Sequence, residues 1–298
     1  MYSVDVTAQL SEANARAVKQ LIASAEGAAG YRPVSDQFWL DLHAASDQIR
    51  VSVTNSVDNQ LVAYAQVSAS GDTPSLEVVI APSRSDELGD IARHILTTVT
   101  AVLRDRGYLA LDWLAFAPGA QHDAVAAEFR LSPTRRLFQM YRSLPTDIVI
   151  DLVTRSFKPG IDEAAWLLVN QRAFAWNPQQ GAWTLESLRA RESEPWFDPV
   201  GFLLHERHDR LAGFCWTKVH ATAGAPLGEI YVIAVDPDFH GLGLGRSLTL
   251  AGLEHLSSRG ITTAMLFVDA DNTAAVGLYD KLGFVVHRTD CIYHGTLG

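Results

Sequence analysis

Between His240 and Arg246 the chain reads His-Gly-Leu-Gly-Leu-Gly-Arg, directly after the β-branched run Val232-Ile233-Ala234-Val235 and directly before a helical pattern, Ser247 to Glu254. Glycine carries no Cβ, so the main chain at Gly241, Gly243 and Gly245 can approach a ligand closely. Where such a turn opens a helix, the free N–H groups of the first helical turn favour phosphate oxygens. The chemistry on offer is the holding of a diphosphate by main-chain donors, with no need of net positive charge. A second stretch runs from Asn272 through Thr273, Ala274, Ala275, Val276 and Gly277 to Tyr279, and then to Gly283-Phe284. Asn272 suits a helix N-cap, and Tyr279 falls two turns along the same face. Each part has a plain explanation too: a tight turn for the glycines, a cap for Asn272, a packed aromatic for Tyr279. The glycine spacing is not the dinucleotide fingerprint, and the Lys-Ser/Thr of a P-loop is lacking.

The elements that must position these residues occur twice in the same order, which points to duplication. In the first half, strands at Leu61-Val67 and Leu76-Ile80 lead to Ala81-Pro82; in the second, strands at Leu211-Thr217 and Glu229-Val235 lead to Asp236-Pro237. An amphipathic helix follows each time and ends in Arg-Gly, at Arg106-Gly107 and Arg259-Gly260, before a further strand at Tyr108-Leu114 or Ala264-Val268. Alternating strands and helices give an α/β class with a mixed α+β sheet in each copy. The joint is expected near Pro145-Thr146-Asp147, dividing the chain into 1–146 and 147–298.

Composition bounds the reading. A chain of 298 residues, 48% hydrophobic, is long enough for two globular units with full cores. Cys215 and Cys291 both sit in apolar runs, which predicts buried free thiols and gives no disulfide or metal framework. The N-terminal residues lack a charged flank with an apolar core, and no run approaches the length of a membrane span, so a soluble protein is expected, with the reducing cytoplasm as its compartment from the cysteine usage; a monomer is the expected state. A net charge of -10, from 34 acidic and 24 basic residues, opposes nucleic acid as a partner. An anionic cofactor then has to be held by local backbone donors.

The glycine turn resembles the coenzyme A loop of the GCN5-related N-acetyltransferase superfamily, whose pattern is Gln/Arg-x-x-Gly-x-Gly/Ala. Gly243 and Gly245 match it, and His240 stands where Gln or Arg is usual. The Asn272 helix and the closing Gly283-Phe284 resemble the superfamily's second signature. The duplication, with Phe157-Gly160, Asn170-Phe174, Trp196-Pro199, Gly213-His220 and Gly228-Tyr231, is similar to the mycothiol synthase family, densely over 148–295 and thinly before it. Members of that family acetylate the cysteinyl amine of a cysteine-glucosamine-inositol conjugate with acetyl-CoA, without a metal. The resemblance therefore implies two tandem domains of this superfamily, with a small thiol-sugar as acceptor.

The resemblance also carries roles. Ile233, Ala234, Val235, the turn His240, Gly241, Leu242, Gly243, Leu244, Gly245 and Arg246, and the helix start Asn272 to Gly277 are implied to bind acetyl-CoA. If the strand splays at Val235, its free N–H groups can face the acetyl carbonyl. Glu229 is implied to take the amine proton and Tyr279 to protonate the departing thiolate, in direct attack within a ternary complex. The alternative for Glu229 is an exposed strand-edge carboxylate. Asp36, Gln179, Lys218, Glu229 and Phe267 are the implied acceptor contacts, and a helix N-cap is the alternative for Asp36. Gln179 and Phe267 depart from the acidic residue and the tyrosine usual at those places. Cys215 and Cys291 are expected outside the reaction centre.

The first copy offers Ser83-Arg84-Ser85-Asp86-Glu87-Leu88-Gly89-Asp90 where phosphates would bind, and Glu128-Phe129 where Tyr279 would stand. Three acidic residues oppose a polyanion, so this copy is expected to be catalytically silent; the alternatives for it are a weak second coenzyme site at Val78, Val79 and Ile80 or a purely scaffolding role. A general amine or protein N-terminal acetyltransferase, a non-catalytic acetyl-CoA sensor and a binder of another pantetheine carrier share the coenzyme features.

Overall fold

The computed structural model describes residues 2–43, 48–68, 73–148, 150–220 and 225–297, without the side chains of His43, Pro178 and Gln179. The chain divides into two compact units, one made of residues 1–137 with 289–298 and the other of residues 138–288.

The first unit contains β1 (Tyr2–Thr7), α1 (Glu12–Ala29), α2 (Asp36–His43), β2 (Ile49–Asn55), β3 (Leu61–Ser68), β4 (Ser75–Ile80), α3 (Leu88–Asp105), β5 (Ala110–Ala115), α4 (Ala120–Glu128) and the start of β6 (Ser132–Ser143). Strands β1 to β4 pair antiparallel in sequence order and β4 pairs parallel with β5. Alternation along β3 sends Ala63 and Ala65 to α3 and α4 and sends Tyr64 to α1 and α2, so helices cover both faces. The β4–β5 pairing ends at Glu77↔Leu114, which leaves Val78 to Ile80 without β5 alongside.

The second unit holds the rest of β6, then β7 (Arg155–Ser156), α5 (Glu163–Ala173), α6 (Pro178–Gly181), α7 (Leu185–Glu192), β8 (Phe202–Arg207), β9 (Arg210–His220), β10 (Leu227–Val235), α8 (Leu244–Ser258), β11 (Thr263–Asp269), α9 (Thr273–Lys281) and the start of β12 (Val285–Thr296). Strand order from the β7 edge is β7-β8-β9-β10-β11-β6. One face packs Leu244, Leu248, Leu253 and Leu256 of α8 against Cys215, Ile230 and Leu266. The other packs Trp166 of α5 and Leu188 of α7 against Trp216, Val232 and Ala234.

Contacts and sequence repeat set different boundaries. The rear of β12 runs antiparallel to β5, from Cys291↔Ala115 to Thr296↔Ala110, so 289–298 group with the first unit although they belong to the second repeat. Both cysteines are buried and free, as their apolar surroundings predict.

In the first unit Glu77 is 6% exposed and accepts bonds from the N–H (2.7 Å) and hydroxyl (2.5 Å) of Ser35. Ser35 in turn accepts the N–H of Phe38 at 3.1 Å, so Ser35 caps α2. Burial raises the Glu77 carboxyl from 4.5 to about 7, partly offset by the Ser35 bonds. A carboxyl raised on folding contributes stability that is complete below pH 4.5 and is lost as pH climbs through 7. The shift corresponds to about 3 kcal/mol. Relative to the parent, Glu77→Gln is therefore expected to gain stability progressively between these pH values, read as the difference in urea unfolding free energy across the range; a pH-independent difference refutes it.

Candidate active site

Strand β10 keeps β9 along its whole length and loses β11 early. Its parallel pairing with β11 covers only Gly228↔Ala264, Glu229↔Met265 and Ile230↔Leu266, whereas pairing with β9 continues to Val235↔Gly213. The strand thus opens after Ile230, well before Val235. A register shift between Ile230 and Val232 marks a bulge at Tyr231. Asp236 N–H bonds Ala212 C=O at 2.9 Å. By the antiparallel alternation, Ala234 and Val232 also turn their main-chain groups to β9, while Ile233 and Val235 turn theirs to the open edge. Ala234 therefore differs from its two neighbours as a source of donors.

At the end of β10 a short 3₁₀ turn, Pro237–Phe239, leads into the glycine loop. Asp236, 2% exposed, accepts the N–H of Asp238 and pairs with Arg172 of α5 at 3.1 Å. Asp238 is held between Arg172 and Arg210, both at 2.8 Å, and these partners lower its carboxyl below the usual range. His240 places Nε2 3.1 Å from the Val235 carbonyl. Gly241 and Gly243 adopt φ of +80° and +73°, conformations that favour glycine, and a Cβ on either would meet nothing within 4 Å.

Gly243 is the N-cap of α8 and offers no side-chain acceptor; the helix's first bond is Ser247 N–H to Gly243 C=O at 3.2 Å. The N–H groups of Leu244, Gly245 and Arg246 therefore have no partner within the helix. In the first unit the matching region is closed. Helix α3 begins directly after a 3₁₀ turn, Pro82–Glu87, the side chain of Gln121 takes the Gly89 N–H at 2.9 Å, and Glu128 pairs with Arg93 at 2.6 Å.

Glu229 is not exposed; it is 5% accessible, and its Oε2 lies 2.6 Å from Nε2 of His220. Lys218, opposite Glu229 in the ladder and 4% exposed, sets Nζ 4.2 Å from the ring centre of Trp196 and 4.9 Å from that of Tyr231. Tyr231 is fixed by Arg191, whose Nε donates to its hydroxyl at 3.0 Å. His220 and this aromatic surround are the features that residue reading left out. The only sequence signal is spacing: Trp216, Lys218 and His220 alternate along one strand face.

Tyr279 is buried in the cluster on the opposite face, with its ring edge-on to Phe284 at 5.8 Å. Phe284 N–H also bonds the Tyr279 carbonyl at 3.0 Å, so the closing Gly283-Phe284 locks the residue. Burial, with the Cys215 thiol nearby, raises the phenol well above its ordinary value. Cys215 belongs to the same core cluster; burial pushes its thiol up to about 12.

Asn272 is a true N-cap, its Oδ1 accepting the N–H of Ala275 at 3.2 Å, and the first turn of α9 from Thr273 is largely exposed. Phe267 is 41% exposed, with the Arg288 guanidinium 5.9 Å from its ring centre. Gln179 lies in α6, with its side chain outside the described residues. Asp36, in the first unit, pairs with Arg32 at 2.5 Å as the first residue of α2 and is not its cap.

Residues 168–284 match the Acetyltransferase (GNAT) family. A protein of Thermomonospora curvata named mycothiol acetyltransferase is 44% identical over 287 residues, 93% of this chain and 93% of that protein. The chain belongs to the mycothiol acetyltransferase family. This N-acetyltransferase also shares its fold with a GCN5-related N-acetyltransferase of Sphaerobacter thermophilus, at TM-score 0.74 and 21% identity, covering 99% of this chain and 96% of that one. A tandem GNAT protein from the clavulanic acid biosynthesis pathway matches at TM-score 0.69 and 16% identity, covering 100% and 99%. The family membership assigns the acetyltransferase to acetyl transfer in mycothiol biosynthesis. Among the described residues no group of His, Cys, Asp and Glu could hold a metal ion, and no helix is long and apolar enough to cross a membrane.

Removing Arg172 leaves Asp236 buried without its guanidinium. Arg172→Met is expected to cost on the order of 1–3 kcal/mol in unfolding free energy, less than a fully buried pair because Arg172 is 37% exposed. Unchanged urea stability counts against the clamp.

Proposed function

We propose that the chain acetylates the cysteinyl amine of a cysteinyl-glucosamine-inositol acceptor with acetyl-CoA, by direct attack in a ternary complex, in the unit formed by residues 138–288. The observation that carries this reading is the open edge: Ile233 and Val235 main-chain groups without β11 alongside, followed by an uncapped helix start. Acetyl-CoA supplies an activated acetyl thioester. The turn Gly241–Arg246 suits its diphosphate, because free N–H groups and space for close approach coincide there. Thr273 to Gly277, at the start of α9, where Thr273 and Ala274 are exposed and Ala275 to Gly277 half-buried, are the further proposed contacts.

Glu229, held at one oxygen by His220, takes the amine proton directly or through water. Tyr279 keeps its proton at neutral pH, because burial opposes the phenolate, and can give it to the departing sulfur. Cys215 stays a neutral thiol, a poor nucleophile, which supports direct attack without an acyl-enzyme. Lys218, Glu229 and Phe267 are proposed to contact the acceptor.

The first unit is proposed to be catalytically silent. Its β4 edge at Val78 to Ile80 resembles the open edge of β10, but Gln121 fills the helix start, and Arg93 holds Glu128 where Tyr279 would stand.

Turnover of acetyl-CoA with the cysteinyl-glucosamine-inositol acceptor and with a panel of amines and peptides tests the reading. Glu229→Gln and Tyr279→Phe are each expected to lower kcat by about 10²- to 10⁴-fold. A loss below tenfold for both refutes the roles, and better turnover of a general amine or peptide refutes the acceptor. Gly243→Val places a β-branched residue at a φ of +73°. It is expected to raise KM for acetyl-CoA about tenfold with kcat little changed, the reverse split arguing against a binding role.

A further inference from the structure

A buried carboxylate that has to act as a base faces two physical demands. It must stay ionised although burial disfavours charge, and one oxygen has to be fixed so that the other can meet the amine. The Glu229 side chain is 6% exposed, and its Oε2 is met by Nε2 of His220 at 2.6 Å. His220 ends β9 on the face that carries Lys218 and Trp216, and reaches Glu229 diagonally across the ladder. Its ring is 24% exposed, so it touches both the buried carboxylate and solvent. Among the described residues, the charged or titratable groups near the pair include Lys218 on β9 and Tyr141 on β6, whose hydroxyl feels Glu229 and also Arg288 of β12 and whose ring stacks on His287 at 4.2 Å.

We infer that His220 is the positioning residue for Glu229: its Nε2–H, donated to Oε2, fixes that oxygen and leaves Oε1 for the acceptor amine. The inference rests on the proposed role of Glu229 as base. Because the two groups share one short bond, the acid limb of the pH–rate profile is expected to belong to the pair rather than to Glu229 alone.

The test is kcat against pH for the full chain, with acetyl-CoA and the cysteinyl-glucosamine-inositol acceptor, comparing the parent with His220→Leu, His220→Gln and Glu229→Gln. His220→Leu is expected to lower kcat at pH 7 on the order of tenfold and to move the acid limb to higher pH, since a buried carboxylate without its donor holds its proton more tightly. KM for acetyl-CoA is expected to stay within about twofold. His220→Gln keeps an N–H donor but does not titrate; it should recover most of kcat while the limb loses its imidazole part. A parent-like acid limb and kcat in His220→Leu overturns the inference. Equal loss in both variants without movement of the limb also overturns it, because that is the signature of a structural role. Should His220→Leu not fold, by thermal melting, the limb of His220→Gln decides alone, and an unchanged limb is the adverse result. Glu229→Gln separates the two readings: retained turnover defeats the base itself, whereas lost turnover beside a parent-like His220→Leu defeats only the positioning role.

Discussion

Strand β10 has a neighbour on one side for its whole length and on the other for only three residue pairs, and the chemistry proposed for this acetyltransferase depends on that asymmetry. A strand with an unpaired side exposes polar main-chain groups that need a partner. The ladder to β9 keeps the edge rigid while it is open. The bulge at Tyr231 also re-sorts the side chains, so that Ile230, Ile233 and Val235 pack toward α8 and α9, whereas Val232 and Ala234 pack toward Trp216 and α5. The same few residues thus present donors at the edge and anchor both faces.

Charge follows from this arrangement. A chain with net charge -10 can favour an anion only where local donors outweigh the global field. The uncapped start of α8 supplies such donors, and the carboxylates nearest the turn, Asp236 and Asp238, are paired with Arg172 and Arg210. On the other side of the sheet, Lys218 is held against aromatic faces and Glu229 against His220, so both charges sit in low-water surroundings with defined partners.

The two units show how little separates an open helix start from a closed one. Both have a strand that parts from its parallel neighbour, at Glu77↔Leu114 and at Ile230↔Leu266. In one, glycines at positive φ and an N-cap without a side chain leave the first turn free; in the other, the Gln121 amide oxygen occupies the Gly89 N–H. A single side chain bonded at a helix start removes the donor that a phosphate would use.

The sequence by itself determined the repeat, the strands and helices of each copy, the glycine turn, the Asn272 cap and the family, because these rest on local periodicity, backbone freedom and residue spacing. Glu229 and Tyr279 could be named from resemblance, but their surroundings could not. That Glu229 is buried against His220, that Cys215 and Tyr279 share one core cluster, that β10 opens at Ile230 rather than Val235, that Ser35 rather than Asp36 caps α2, and that the last strand joins the first unit were decided by tertiary structure alone. Each depends on which strand pairs with which and in what register, and pairing between segments distant in sequence leaves no local signal in either one.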